Sequence, residues 1–301
     1  MSNSILQDKL ELISVDMLEE DRVLANELKC LNYSLGFASG WHYLLDWIWT
    51  IRQLNEIEGK KILDAGAGIG LLQWYLASHS AEVLSVDRGD RKIIPFHLLQ
   101  HFNVFPYTSN DNFLTLREFF TSSIKEFPIR GWLKAFLRGA LGAVRTRLWK
   151  QAPGLVWFYG KDLQTLSDIP DNSVDYVVSI SALEHNSHDE LHRVVNELER
   201  VLKPGGAMIV TVSAARDVDW YFEPASAWCY TDTTLRGIFR LPPYASSNYS
   251  QYDDLLEKLR DSKELKSNMT WYYYYSPRSG MPWGIWKPKY QPVGIVKVKP
   301  L

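Results

Sequence analysis

The spacing of apolar residues along the chain predicts buried strands that alternate with amphipathic helices. Short apolar runs predict strands at 61–64, 82–86, 155–159, 174–180 and 206–213. Apolar residues at helical spacing predict helices at 70–79, 188–202 and 232–240. Because strands that alternate with helices are typical of a parallel sheet, this pattern predicts an α/β fold for the chain from Lys60 onward.

The two ends of the chain have different patterns. Residues 1–59 are predicted to form a helical cap, because the apolar residues within 44–51 recur on one helical face. Two further strands are predicted near 270–275 and 292–299. In the second of these, valine alternates with lysine over Val296–Lys299, which is typical of a half-exposed edge strand.

Composition narrows the class of protein. The chain has 301 residues, of which 46% are hydrophobic, so it can bury a sizeable core. Its formal net charge of −2 gives no overall attraction for nucleic acid. Cys30 and Cys229 are too few for a disulfide framework or a metal cluster, so both are predicted to be reduced thiols. Residues 1–20 show no signal peptide, and the run Trp41–Ile51 is too short to cross a bilayer, so we expect a cytoplasmic protein.

The segment Lys61–Gly70 contains the strongest functional motif. A predicted strand ends at Asp64, and Gly66, Gly68 and Gly70 then lead into a helix. Glycines at such a turn let the backbone bend tightly and approach a ligand with no Cβ atom in the way. The second predicted strand ends just before Asp87, where a carboxylate can bind the hydroxyls of a ribose. This βαβ unit therefore predicts a nucleoside-binding site.

The glycine spacing indicates which kind of nucleoside. Dinucleotide-binding proteins carry G-x-G-x-x-G, whereas the glycines here follow G-x-G-x-G. The carboxylate of Asp64 would repel a pyrophosphate, but it suits a cationic ligand such as a sulfonium amino acid. A nicotinamide oxidoreductase is therefore disfavoured.

At these residues the chain resembles the class I S-adenosylmethionine (SAM)-dependent methyltransferases, in particular their small-molecule branch called type 11. Gly160–Leu163 is similar to the family's adenine-binding turn, and Ile169–His185 to the block around its fourth strand. Glu197–Gly206 is similar to its turn from a helix into the fifth strand. The resemblance covers roughly 60–87 and 158–212, and neither the segment between them nor the two ends.

The resemblance implies a fold and a domain organisation. The expected fold is a Rossmann-like, doubly wound, seven-stranded sheet whose last strand is antiparallel. The methyltransferase domain is expected over 60–301, with a mainly helical insertion at about 90–154, because the chain has more residues there than one short helix needs.

The resemblance also implies SAM as the cofactor and assigns roles to individual residues. Asp64 is expected to contact the methionine ammonium of SAM, directly or through water, and Asp87 to accept from both ribose hydroxyls. Asp162 is expected to accept from the adenine amino group, and the Ser179 carbonyl to face the methionine amine. The predicted cofactor-binding residues are Asp64, Ala65, Gly66, Gly68, Asp87, Arg88, Asp162, Leu163 and Ser179.

The predicted reaction is methyl transfer to a small or lipid- or sugar-linked acceptor, at oxygen rather than nitrogen. A sulfonium is already a strong electrophile, so alignment of the nucleophile supplies much of the rate enhancement. A hydroxyl acceptor also has to lose its proton, and His185 follows the fourth strand, where the methyl group is expected to point. His185 is therefore the candidate catalytic base, with a structural or substrate-orienting role as the alternative.

The second half of the insertion, Phe127–Lys150, is basic and amphipathic. Lys134, Arg138 and Arg145 line one edge of a helically spaced apolar stripe, and the segment contains no acid. Such a helix can bind an anionic substrate or contact a membrane surface, or it can simply pack on the core as a lid. Peripheral contact with a membrane through 127–150 is one expected interaction.

Other functions are left open by the sequence. A catalytically inactive SAM-binding interaction protein would keep the same motifs. A nucleic-acid methyltransferase could use the basic insertion, although no Asn/Asp-Pro-Pro-Tyr-type segment follows the fourth strand. His188 and His192 stand four residues apart, but Asp189 occupies the position where a zinc-binding H-E-x-x-H helix has glutamate. We therefore predict no metal site.

Overall fold

The structure is a computed structural model that describes residues 6–89, 91, 94–109, 111 and 140–301. Within these residues, eleven strands belong to one sheet. The strands are β1 (Lys9–Leu12), β2 (Lys61–Ala65), β3 (Glu82–Val86), β4 (Asn103–Pro106), β5 (Leu155–Tyr159), β6 (Val174–Ile180), β7 (Leu202–Ala214), β8 (Trp220–Phe222), β9 (Ala227–Tyr230), β10 (Ser246–Ser247) and β11 (Gln291–Val298).

Within the described residues, the sheet has a parallel centre and two antiparallel strands, β8 and β11. Its order is β10-β1-β11-β7-β6-β2-β3-β5-β4, and β9 pairs with both β7 and β8. Strands β4, β5, β3, β2, β6 and β7 run parallel to their neighbours, whereas β11 is antiparallel to β7. The predicted Rossmann-like sheet with an antiparallel last strand is therefore confirmed, but the described residues form eleven strands rather than the seven expected.

Helices cover both faces of the sheet, and each face has its own hydrophobic core. One core contains Trp49 and Trp74, both almost fully buried, from two helices on that face. The other contains Leu191 and Leu198 from the helix after β6. The helices are α1 (Met17–Glu20), α2 (Arg22–Leu35), α3 (Tyr43–Gln53), α4 (Leu71–Ser78), α5 (Phe96–His101), α6 (140–146), α7 (His188–Val201), α8 (Asp232–Ile238), α9 (Tyr252–Asp261), α10 (Lys263–Asn268) and α11 (Trp271–Tyr275).

Helix α7 shows how local sequence sets an element next to the site. The Ser187 side chain accepts from the Glu190 backbone N–H, and the Glu190 carboxylate accepts from the Ser187 backbone N–H, which forms a capping box. Leu191, Val194 and Leu198 then recur at helical spacing and are buried against the sheet. The cap fixes where the loop after β6 ends, and this loop carries His185.

The predicted central strands are confirmed, but three predictions for the ends of the chain are wrong. Residues 9–12 of the predicted helical cap form β1, which pairs with β11 and β10. Because β1 covers its outer side, β11 is an inner strand rather than a half-exposed edge. Lys297 is kept at the rim by an ion pair with Asp8, 3.4 Å away.

The third correction concerns the aromatic run near position 270. The predicted strand at 270–275 is the helix Trp271–Tyr275, in which the Tyr274 N–H donates to the Thr270 carbonyl at 2.9 Å. Aromatic residues favour strands because they fit a pleated, half-buried surface, but within the described residues this segment pairs with no strand of the sheet. Tertiary context decides the conformation.

The predicted insertion at 90–154 contributes both helix and strand. Helix α5 leads into β4, which pairs in parallel with β5 at one end of the sheet. In helix α6, Leu141 and Val144 are largely exposed, while Gly142 lies so close to His97 that an added Cβ would approach the ring to 2.6 Å. The predicted apolar stripe is thus turned outward where it is described.

Part of the predicted basic stripe can be located. Arg145 lies 4.0 Å from the ring centre of Tyr33 and donates to its carbonyl at 2.9 Å. Lys134 and Arg138 lie outside the described residues. Among the helices of the described ranges, none is both long and apolar enough to span a membrane.

Candidate active site

A cavity of about 740 Å³ opens at the carboxyl ends of β2, β3 and β6. Its volume lies within the roughly 300–1,000 Å³ typical of small-molecule sites, and its place in the fold is where open α/β sheets bind ligands. We call it the first cavity. It is lined by the glycine loop (residues 66–70), by Asp64, Asp87 and Arg88, and by residues of the loop after β6 and of the N-terminal helices.

The glycine loop needs its glycines for steric reasons. Gly66 has φ +74°, and a Cβ atom at this position would lie 2.5 Å from the Cβ of Ala182. Gly68 also has a positive φ, of +50°. Left-handed backbone of this kind costs other residues roughly 1–2 kcal/mol. The loop therefore passes close to the segment after β6 and keeps its backbone open toward the first cavity.

Asp87 is positioned by the loops around it. Its Oδ2 atom accepts from the Gly68 N–H at 2.8 Å, and its Oδ1 atom accepts from the Gly89 N–H at 2.6 Å. Carboxylate oxygens have two lone pairs each, so both keep acceptor capacity toward the first cavity. This arrangement suits a ligand with two neighbouring hydroxyl groups, as the sequence predicted for a ribose.

Asp64 is the buried acid of the first cavity. Its side chain is 3% exposed, and burial raises its pKa to about 7, with Asp87 adding to the rise and Arg91 opposing it. A buried carboxylate is costly unless a cation or several donors face it. A cationic group in the first cavity would therefore be stabilised by Asp64 and would favour its ionised form.

Arg91, which the sequence analysis did not predict as a site residue, holds the glycine loop by a hydrogen bond to the Gly68 carbonyl. Its guanidinium donates to the Ser85 Oγ and carbonyl at 2.6 and 2.7 Å, and to the Gly68 carbonyl at 3.3 Å. Ser85 Oγ in turn donates to Gln73 Oε1 at 2.7 Å, and Gln73 Nε2 donates to the Gly70 carbonyl at 3.1 Å. No motif contains Arg91, because its role depends on the packing of two strands.

The structure brings together only some of the predicted cofactor-binding residues. Asp64, Gly66, Gly68, Asp87 and Arg88 line the first cavity. The others do not, and their contacts with the cofactor stay predictions. Ala65 and Ser179 are buried beneath it, joined by a 2.8 Å hydrogen bond from Ser179 Oγ to the Ala65 carbonyl. Asp162 and Leu163 lie at the turn after β5, where Asp162 accepts from the Gln164 N–H at 2.8 Å.

His185, the candidate base, lines the first cavity at the end of the 3₁₀ turn Leu183–His185. Its Nδ1 atom lies 3.0 Å from the Ser226 carbonyl oxygen. A carbonyl can only accept, so Nδ1 carries the proton and the neutral ring keeps a lone pair on Nε2. The side chain is exposed, and in this tautomer Nε2 is the ring atom that can accept a proton.

A second cavity of about 150 Å³ adjoins the first, and the two share Tyr43, Ser181, His185 and Tyr273. Its wall includes His42, whose Nδ1 atom lies 2.6 Å from Oδ2 of the buried Asp46. Glu184, which is 1% exposed, also lines it, and burial raises the pKa of this carboxyl. Ser181 Oγ donates to one carboxylate oxygen of Glu184.

Comparison with known proteins gives a family match and several similar folds. Residues 138–210 match the model of a family described as a methyltransferase domain. No curated protein sequence matches this chain. The matched residues run through β5, β6 and α7 into β7, and they include Asp162, Leu163, Ser179 and His185 but not the glycine loop.

Three solved structures illustrate the similarity of fold. The cyclase SpnF is 15% identical, with a TM-score of 0.47 over 95% of this chain and 97% of that chain. A phosphoethanolamine N-methyltransferase 2 of Haemonchus contortus is 16% identical, with a TM-score of 0.48 over 95% of this chain and 60% of that one. A sarcosine dimethylglycine methyltransferase from Galdieria sulphuraria, named as putative, is 16% identical, with a TM-score of 0.44 over 83% of each chain.

The family match agrees with the sheet order and with the cavity at the carboxyl ends of its strands. It also supports SAM as the cofactor that the sequence predicted. Residues 138–210 of this chain thus match a methyltransferase domain, which is consistent with the class I methyltransferase that the sequence predicted.

Proposed function

We propose that this chain binds SAM in the first cavity and transfers its methyl group to a small acceptor. The observation that carries the proposal is the pair of acids at the ends of neighbouring strands. Asp64 is buried beside the glycine loop, and Asp87 is oriented by two backbone N–H groups. One acid suits an ammonium group and the other suits the two hydroxyls of a ribose.

The chemistry of the step requires alignment more than activation. The methyl carbon of SAM is bonded to a sulfonium, so the acceptor displaces it once the two are held in line. Ser181 and His185 line both cavities, which makes the boundary between them the natural place for the transferred group. His185 is the group proposed to take a proton from the acceptor, because its Nε2 lone pair is free.

The proposal also has to say which molecule, and which atom of it, receives the methyl group. The sequence predicts a hydroxyl, and it predicts a small or lipid- or sugar-linked molecule. The apolar residues Leu141 and Val144, with Arg145 beside them, support a contact with a lipid surface near the site. The lining of the second cavity, in contrast, favours a nitrogen atom over an oxygen atom as the one that is methylated.

Two alternatives are distinguished by direct measurement. An inactive SAM-binding protein would bind the cofactor and form no methylated product. A nucleic-acid methyltransferase would bind single-stranded or duplex DNA or RNA with strong salt dependence, because phosphate contacts release counterions.

Calorimetry with the product S-adenosylhomocysteine (SAH) tests the proposal. We expect SAH to bind and to raise the thermal midpoint of unfolding, since any ligand of the native state stabilises it. The variant Asp87→Ala loses a two-point hydrogen bond, and we expect binding weaker by about 1.5–3 kcal/mol. Asp217→Ala, an exposed acid outside the cavity lining, is the matched control. Tight binding of NADH with no heat from SAH would refute the assignment.

A further inference from the structure

The second cavity has a lining of its own that the cofactor does not account for. Glu184, Trp41 and Arg278 line this cavity and are absent from the lining of the first. At about 150 Å³ the cavity is far smaller than the first and fits a compact group. If the first cavity binds SAM, as proposed above, the second lies where the acceptor's reacting end belongs.

Glu184 presents an unused hydrogen-bond acceptor there. One of its carboxylate oxygens accepts from Ser181 Oγ, whereas the buried Oε2 atom has no hydrogen-bond donor among the described residues. A buried carboxylate oxygen without a donor has lost its hydrogen bonds to water and has gained none from the protein. A ligand with an N–H or O–H group pointing at Oε2 would supply the missing hydrogen bond.

The charge around Glu184 favours a cation over a neutral donor. Asp46 is fully buried, and its Oδ1 atom also has no donor within the described part of the chain. The ring of His42 is held by Asp46, and a positive charge on His185 or on His42 would stabilise the ionised form of Glu184. When both carboxylates are ionised and His42 is neutral, the net charge is negative even if the guanidinium of Arg278 is counted. An ammonium bound beside Glu184 would balance that charge.

Two other residues of the second cavity, Trp41 and Arg278, are hydrogen-bond donors rather than acceptors. Trp41 is buried, and its Nε1–H finds no acceptor among the residues described. Arg278 also lines the cavity, and it is exposed to solvent. An indole N–H and a guanidinium both suit an anionic oxygen. The cavity therefore offers acceptors on one part of its wall and donors on another.

Aromatic rings complete the wall. Trp41 and Tyr290 pack with ring centres 5.4 Å apart, His42 stacks on Tyr43 at 5.1 Å, and all four residues line the cavity. The faces of tryptophan and tyrosine attract cations, most strongly where water is excluded. We propose that the second cavity binds the methyl acceptor and that this acceptor is a small amine carrying an acid group.

The proposed methyl transfer balances in atoms and in charge. The acceptor's ammonium donates a hydrogen bond to Glu184 Oε2 and gives a proton to Nε2 of His185. The nitrogen lone pair then forms the N–CH₃ bond as the S–CH₃ bond of SAM breaks, and its electron pair remains on sulfur. Neutral thioether, methylated ammonium and the imidazolium of His185 result, and the imidazolium is stabilised by the neighbouring Glu184 carboxylate.

The test compares two probes that differ in a single group, alanine and lactate. Both carry a carboxylate, but one has an ammonium where the other has a hydroxyl. In NMR titrations of the SAH-loaded protein, we expect lactate to bind about tenfold more weakly than alanine. Glu184→Gln keeps the shape of the side chain and should bring alanine to the affinity of lactate, while SAH binding stays unchanged. Glu223→Gln, an exposed acid in a neighbouring turn, should change neither.

The outcomes are separable from those of the proposed function. Lactate binding as tightly as alanine, or no alanine binding at tens of millimolar, overturns the amine proposal even when SAH binds well. Failure of SAH to bind overturns the proposed function instead. If Glu184→Gln does not fold, the comparison of alanine with lactate on the wild-type protein still decides the matter.

Discussion

Single side chains set the charge balance of this site, and Asp64 has the largest part in it. Its carboxyl is buried at the end of β2, and its pKa of about 7 lies far above the ordinary value of 3.8. The folded protein therefore retains a proton between pH 4 and 7 that the unfolded chain has lost. Stability from this group is complete below the ordinary pKa and is lost as the pH rises through about 7.

The first residue-scale prediction concerns proton release by Asp64. A bound ammonium favours its ionised form, so SAH binding at pH 6 should release a proton, and the affinity should rise from pH 6 to pH 8. Calorimetry in two buffers of different ionisation enthalpy measures this release. Asp64→Asn should abolish it, weaken SAH binding and flatten the dependence of unfolding free energy on pH. An unchanged proton count in the variant would remove Asp64 from this role.

The second residue-scale prediction concerns His185. If it accepts the acceptor's proton, His185→Ala should lower kcat by about 10²–10⁴-fold and leave SAH affinity intact. The rate of SAH formation with saturating acceptor gives the answer. His192→Ala, an exposed histidine on helix α7, is the control. A loss smaller than about threefold would assign His185 to structure or substrate orientation.

At the scale of elements, the glycine loop depends on its neighbour after β6. Gly66 and Gly59 both have a positive φ, near +70°, but only Gly66 has an atom close to the position of an added Cβ. Gly66→Ala should therefore weaken SAH binding about tenfold or more, because the loop has to move away from Ala182. Gly59→Ala should cost only the backbone strain, roughly 1–2 kcal/mol of unfolding free energy. Equal effects of the two variants on SAH affinity would contradict the steric argument.

The elements also show what the sequence could predict. Buried parallel strands read as continuous apolar runs, so β2, β3, β5 and β6 were predicted nearly to their ends. Helix α7 carried both a cap and a periodic apolar face. By contrast, β1 and β11 pair across almost the whole chain, and no local pattern reveals that β11 has neighbours on both sides. The aromatic segment 271–275 was mistaken for a strand because its composition fits either structure.

The site divides in the same way. Asp64, Gly66, Gly68 and Asp87 lie within one βαβ unit, so their spacing along the chain was enough to predict that they line one cavity. The second cavity is assembled from the N-terminal helix, the loop after β6 and the C-terminal segment, which only the fold brings together. Arg91 and Glu184 were therefore not predicted as functional, although both lie close to predicted residues in the sequence.

For the molecule as a whole, the second cavity, which we propose binds the acceptor, includes residues from segments near both ends of the sequence. His42 and Tyr43 come from the N-terminal segment, and Arg278 and Tyr290 from the C-terminal one. Both ends also contribute to the first cavity, through Asn32, Trp47 and Tyr273, whereas its glycine loop and its acids come from the central βαβ unit. Changes at Trp41 or Arg278, which line the second cavity but not the first, can therefore alter the second cavity while the lining of the first stays the same.

The pairing of strand β1 with β11 affects the order in which the sheet forms during synthesis. Lys9–Leu12 pairs in antiparallel register with Val293–Val296. Strand β1 therefore cannot make this pairing until β11 has been synthesised. On the ribosome, the β2–β3 unit with its glycine loop emerges long before β11 does. During synthesis β1 has no partner from β11, and the second cavity lacks the part of its wall that the C-terminal segment supplies. The second cavity of a nascent chain is therefore complete only after Arg278 and Tyr290 have been synthesised.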